Sequence, residues 1–84
     1  MPQHKINTSI QDSEPDIQLQ YIGRYIHEIR ISEGHTQVVA SNLCGISIGC
    51  LQNIEKGNNV TIATLIKIAE SYDISIIDFF SDLD

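Results

Sequence analysis

Residues 36–57, TQVVASNLCGISIGCLQNIEKG, decide the architecture. Thr36 offers a hydroxyl acceptor to the unsatisfied N–H groups of a helix opening at Gln37, the role that makes Thr a favoured N-cap. That helix is expected to stop near Leu43, because Gly45 takes the left-handed conformation that ends helices without a Cβ clash. Ser47 can cap again. Leu51 and Ile54 then fall three apart on one face of the segment from Ile48 to Lys56, and Gly57 closes it. The stretch therefore reads as two short helices joined by a tight turn.

The flanks extend the same pattern. From Ile17 to Ser32, Ile22, Ile26 and Ile29 recur at helical spacing beside Leu19 and Tyr25, while Arg24, Glu28 and Arg30 fall largely elsewhere, and Gly34 supplies the stop. Downstream, Thr61 caps a helix of about three turns whose apolar stripe is Ile62, Leu65, Ile66 and Ala69, with Lys67 and Glu70 on the wet side. Ser75 can cap a last short helix that brings Phe79 and Phe80, with Ile76 and Ile77, to the core. The many Val, Ile and Thr residues favour strands by propensity, but caps and spacings of three and four outvote them. The expectation is an all-α domain of five short helices over residues 17–84. Residues 1–16, polar, aperiodic and ending just past Pro15, read as a flexible arm.

Composition narrows the function. The 84 residues, 42% hydrophobic and 19% charged, suit one ordinary globular domain. No stretch approaches a membrane span, and the N-terminus lacks the apolar core of a secretory signal, so a soluble, cytoplasmic protein is expected. Cys44 and Cys50 make neither a disulfide framework nor a zinc site and read as reduced packing residues. His4, His27 and His35 show no ligand spacing and no adjacent nucleophile. With no paired carboxylates in a polar pocket and no Gly-rich phosphate loop, neither an enzyme nor a cofactor or metal is expected.

The order and spacing of Thr36-Gln37, Gly45-Ile46-Ser47, Ile54-Glu55-Lys56-Gly57 and Leu65-Ile66-Lys67-Ile68-Ala69 resemble the Cro/repressor (XRE) helix-turn-helix family over about residues 22–80. The resemblance implies a lambda-repressor-like domain and a bacterial or phage transcription regulator that binds double-stranded DNA. In such a domain the helix at about 47–56 lies in the major groove and reads base edges from its N-terminal part. Carried over position by position, the reading residues are Ile48, Gly49, Gln52 and Asn53, with Thr36, Gln37, Ser47, Lys56, Asn58 and Asn59 as further DNA contacts. Asn and Gln pair with adenine and Ile48 suits a thymine methyl, so an A·T-leaning site is expected. The amides also suit a merely solvated helix face, Gln37 an ordinary first turn, and Asn58-Asn59 an ordinary loop. The resemblance further implies that Glu55 pairs with Arg30 across the interior, as structure and not as DNA contact.

Two features depart from the family. The net charge is −6, whereas phosphate neutralisation by Lys and Arg supplies most non-specific affinity for DNA. Between Gly34 and Ile66, however, the formal charges are Glu55 and Lys56, while Glu70, Asp73, Asp78, Asp82 and Asp84 crowd the C-terminal quarter. A neutral DNA face implies weak monomer binding with a shallow salt dependence, offset by a homodimer that spans two half-sites about one helical turn apart. The last helix or the arm would supply the dimer contact. The second departure is Val38, Val39 and Leu43 where polar residues are usual, with Ala40 and Ser41 where Leu and Ala are usual. Either this helix is rotated and buries them, or Val39, Leu43 and Ile48 form an apolar patch. The patch would suit a protein-protein interaction module on a helix-turn-helix scaffold with weak or no DNA binding.

Overall fold

Four α-helices and a closing 3-10 helix follow one another in a computed structural model that describes residues 16–80: α1 (Ile17–Ser32), α2 (Gln37–Cys44), α3 (Ile48–Glu55), α4 (Ile62–Tyr72) and the 3-10 segment Ile76–Phe80. No strand occurs among the described residues. The helix starts follow from side-chain caps. Thr36 Oγ1 accepts from the Val39 N–H at 3.1 Å, Ser47 Oγ from Cys50 at 3.0 Å and Thr61 Oγ1 from Thr64 at 3.1 Å. Each satisfies a backbone donor that the first helical turn leaves free.

Two details go beyond the sequence reading. Asp16, assigned there to the arm, is the N-cap of α1 and accepts from the Gln18 and Leu19 N–H groups at 2.9 and 3.2 Å. The rest of that arm, residues 1–15, lies outside the described residues. The fifth helix is 3-10 and not α, a single tight turn, and Ser75 Oγ accepts from the Ile77 N–H at 3.2 Å.

Ile22, Ile26, Leu51, Ile54, Leu65, Ile68 and Phe79 make the centre of the core. α1 packs on α3 and on the 3-10 segment, and α2 packs on α3 and α4. Phe79 is wholly buried and meets the Tyr25 ring edge-on at 5.4 Å. Gln18 Nε2 donates to the Phe79 carbonyl at 3.0 Å and the Tyr21 hydroxyl to that of Asp78 at 3.3 Å, which pins the C-terminal turn to the start of α1. The α1–α3 crossing is closest at the buried Gly23, where a Cβ would run into the Ile54 carbonyl oxygen. No helix among the described residues is long and apolar enough to cross a membrane.

Helix α4 ends on Asp73 in the left-handed region, φ 56°, which Gly occupies without a Cβ penalty. A carboxylate there also faces the negative end of the helix dipole. Asp73→Gly relieves both and is expected to stabilise the domain by about 1 kcal/mol, raising the melting temperature by roughly 4–8 °C in calorimetry. A lower melting temperature would show that the carboxylate has a favourable role.

Candidate nucleic-acid interface

The interface is built on the turn between α2 and α3. Gly45 caps α2 at φ 72°, its N–H donating to the Asn42 and Ser41 carbonyls, and the Ile46 N–H returns to Ser41 at 3.0 Å. Helix α2 turns Ala40, Ser41 and Cys44 inward. The small Ala40 and Ser41 suit this inward face, and Ser41 Oγ is satisfied by the Val38 carbonyl at 2.9 Å. Val38, Val39 and Leu43 are consequently outside, each about half exposed at 54%, 48% and 49%. The rotated helix that would have buried them is thereby ruled out, and the aliphatic patch is a property of the surface.

Helix α3 turns Leu51 and Ile54 into the core and leaves Ser47, Ile48, Gly49, Gln52 and Asn53 exposed. Positions 48, 49, 52 and 53 lie one helical turn apart in pairs, so their side chains share one face. Space beyond Gly49 is open, since a Cβ there would meet nothing within 4 Å. The amides on this face are braced: Gln52 Nε2 donates to Gln37 Oε1, and Asn58 Nδ2 to Asn53 Oδ1, both at 3.4 Å.

Beneath that face lies a charged cluster. Arg30 grips Glu55 with two donors, Nε to Oε2 at 2.7 Å and Nη2 to Oε1 at 2.9 Å, and both side chains are nearly buried at 9% and 7% exposed. Gln37 Nε2 and His27 Nδ1 each stand 3.1 Å from Glu55 Oε1, and Arg30 Nη1 donates to the His35 carbonyl at 2.9 Å. Burial acts to raise the Glu55 pKa, but hydrogen bonds from Arg30, His27 and Gln37 and the Arg30 charge outweigh it, holding the carboxyl below its ordinary value. The bond to Glu55 likewise holds Arg30 above its ordinary value against the desolvation that lowers it. Helices α1, α2 and α3 are thus tied at one point, and the carboxylate behind the exposed face of α3 is neutralised from within.

Of the residues singled out from the sequence, Ile48, Gly49, Gln52 and Asn53 come together on α3, with Lys56, Asn58 and Asn59 exposed at its far end. Thr36 and Ser47 are at the helix starts as caps, and Gln37 is half-buried with both ends of its amide engaged. The exposed cation of α1, Arg24, pairs with Glu28 at 3.4 Å. Sequence reasoning missed Gly23 and His27. A glycine inside a helical pattern is itself a cue to close approach, and His27 sits one turn before Arg30 on the same face. No group of three or more potential metal ligands occurs among the described residues.

The HTH_3 helix-turn-helix family model matches residues 26–79. Among solved structures, the chain is similar to the restriction-modification controller protein C.AhdI from Aeromonas hydrophila, at 26% identity and a TM-score of 0.72, covering 77% of this chain and 100% of that one. It is similar to an HTH_3 family transcriptional regulator from Vibrio cholerae at 33% identity and a TM-score of 0.71, over 79% of this chain and 38% of that one. A second restriction-modification controller protein superposes with a TM-score of 0.73 at 25% identity, over 83% of this chain and 90% of that one. No curated protein matches the chain in sequence.

Proposed function

This chain belongs to the HTH_3 helix-turn-helix family, and from that premise we propose that it is a sequence-specific, double-stranded-DNA-binding transcriptional regulator of bacterial or phage type. Its α3 reads the major groove. The observation that carries this reading is the exposed face of α3, on which Ile48, Gly49, Gln52 and Asn53 stand clear of the core on a helix fixed at its far end by Arg30 and Glu55. Gln52 and Asn53 offer amides that match an adenine edge, and Ile48 offers a methyl contact. Thr36, Gln37 and Ser47 lie at the helix N-termini, where N–H groups favour phosphate, and Lys56, Asn58 and Asn59 lie where a flanking backbone passes. The similar proteins bear the names of a transcriptional regulator and of controllers, which agrees with regulation and not catalysis.

The protein acts in the cytoplasm as a homodimer. Among the described residues, Lys56 and the Glu28-paired Arg24 in the groove beside it give each monomer little phosphate contact, so two linked half-sites are needed for useful affinity. The closing 3-10 segment, on which Ile77 is 70% exposed, or the arm supplies the dimer contact. Residues 17–84 form the DNA-binding domain and residues 1–16, less the Asp16 cap, its arm.

Selection of genomic fragments at low salt tests the reading. Enrichment of a short, dyad-symmetric, A·T-leaning site is expected. Gln52→Ala or Asn53→Ala should each weaken binding to that site about tenfold in a titration, the loss of one amide–base pair, while the circular dichroism of the exposed variants stays unchanged. A second reading is favoured by the half-exposed Val38, Val39 and Leu43: a protein-binding module docked through that aliphatic face and Ile48. Failure of a folded sample to enrich any site would decide for it.

A further inference from the structure

We propose that the Ile48–Gly49 step of α3 recognises the C5-methyl group of a pyrimidine, so that each half-site carries a thymine there and 5-methylcytosine is accepted in its place. This rests on the DNA-reading function above and specifies what the N-terminal part of α3 reads.

Ile48 opens α3 and is 39% exposed, the large aliphatic on a face otherwise made by Gly49, Gln52 and Asn53. The Ser47 hydroxyl is engaged as acceptor for the Cys50 N–H, and Gly49 has no side chain, with open space where a Cβ would stand. That opening lets the groove floor approach the helix backbone and brings a base edge against the Ile48 side chain. Of the groups displayed in the major groove, the thymine C5-methyl is the apolar one, and the rest are hydrogen-bonding atoms for which Ile48 has no partner. A base without the methyl would set a polar edge or a trapped water against a branched aliphatic, losing the contact and desolvating without return.

Among the described residues, the cation of α3 and the guanidinium beneath it both stand away from this end, where they would be needed to pair with guanine. Lys56 lies eight residues along, about 12 Å down the helix axis, and the Arg30 guanidinium is held by Glu55. The hydrogen-bonding amides begin one turn later, at Gln52, whose orientation Gln37 fixes. The surface thus divides along its length into an apolar start, which distinguishes pyrimidines by a methyl, and an amide-bearing middle, which distinguishes purines by donors and acceptors. The same chemistry predicts sensitivity to cytosine methylation, because 5-methylcytosine carries its methyl at the atom where thymine does.

The test uses the full chain and its selected duplex, resynthesised with deoxyuridine in place of thymidine at one position at a time, which removes the methyl alone. At one position per half-site the affinity should fall about fourfold, and about fifteenfold when both halves are changed, the effect of one buried methyl each. Cytosine at that position should bind about fourfold more weakly than 5-methylcytosine. Ile48→Ala, at an exposed position outside the core, should bind equally well with and without the methyl. Equal affinity for thymidine and deoxyuridine at every position, or a difference that Ile48→Ala retains, would overturn the proposal while leaving the DNA-reading function intact. Enrichment of no site by a folded sample would remove both.

Discussion

Replacing Arg30 by Ala is expected to destabilise the domain by about 3 kcal/mol or more, a fall in melting temperature on the order of 12–24 °C for a chain of this length. The expectation rests on what the substitution leaves behind. Glu55 is 7% exposed and takes two of its donors from Arg30, so the variant keeps a buried carboxylate with its main counter-charge gone, and the His35 carbonyl loses its donor as well. A small domain has few kcal/mol to lose, so much of the sample should be unfolded at physiological temperature. Arg30→Met combined with Glu55→Met removes both charges and is expected to recover a large part of the loss, since the net worth of a buried pair is far smaller than the penalty for halving it. The pair also sets the acid limit. The folded-state pKa of Glu55 is depressed, so its stabilisation is present above the unfolded-state value and is lost as the pH falls through the folded one, below the ordinary carboxylate range. The double variant should lose this part of the acid slope. A single variant that melts with the parent protein would remove the Arg30–Glu55 tie from the account.

Gly23→Ala is expected to be nearly as damaging, at about 3 kcal/mol, although it adds one methyl group and raises helix propensity. The added Cβ would overlap the Ile54 carbonyl oxygen, which is backbone within α3 and cannot swing aside as a side chain would. Relief requires α1 and α3 to separate, and the two helices share the core contacts of Ile22, Ile26, Leu51 and Ile54. The same displacement would pull Arg30 from Glu55 and change how α3 is presented. Fluorescence or circular-dichroism melting of the variant distinguishes the outcomes. A gain in stability, as propensity alone predicts for glycine to alanine in a helix, would mean that the crossing is looser than described.

The helices were legible because their starts are written in short polar side chains. Thr36, Ser47 and Thr61 announce α2, α3 and α4, and Gly45 and Gly57 end two of them, so the boundaries follow from capping chemistry before any packing is known. The start of α1 at Ile17 follows from the spacing, whereas the capping role of Asp16 is hidden by Pro15 and the polar run before it. The closing segment reads as a fifth short helix, since apolar spacing over five residues does not separate a 3-10 turn from an α turn. At the site, exposure of Ile48, Gln52 and Asn53 follows from Leu51 and Ile54 facing inward. What spacing did not convey is tertiary: that Gln37 is bonded to both Glu55 and Gln52, that His27 joins the same carboxylate, and that Gly23 is where two backbones meet. These depend on how α1 crosses α3, which no local pattern encodes.

Those contacts also explain how an acidic chain can present a face suited to DNA. Many of the negative charges crowd the C-terminal quarter of the sequence, and the Glu55 carboxylate of α3 is held by a guanidinium, an amide and an imidazole, while Asp16 borders the groove of Asn53, Lys56, Asn58 and Asn59. On the proposed reading, affinity comes from base-edge contacts and dimer geometry more than from phosphates, so the logarithm of the affinity should fall only gently with the logarithm of salt concentration.

The central claim is that α3 reads base edges in the major groove, and 7-deazaadenine substitution in the selected duplex tests it most directly. The analogue removes the N7 acceptor of adenine from the major groove and leaves base pairing and the minor groove as they were. The account predicts that at one or two adenines per half-site affinity falls about tenfold, and that Gln52→Ala or Asn53→Ala abolishes the difference. Equal affinity at every adenine for the parent protein would contradict it.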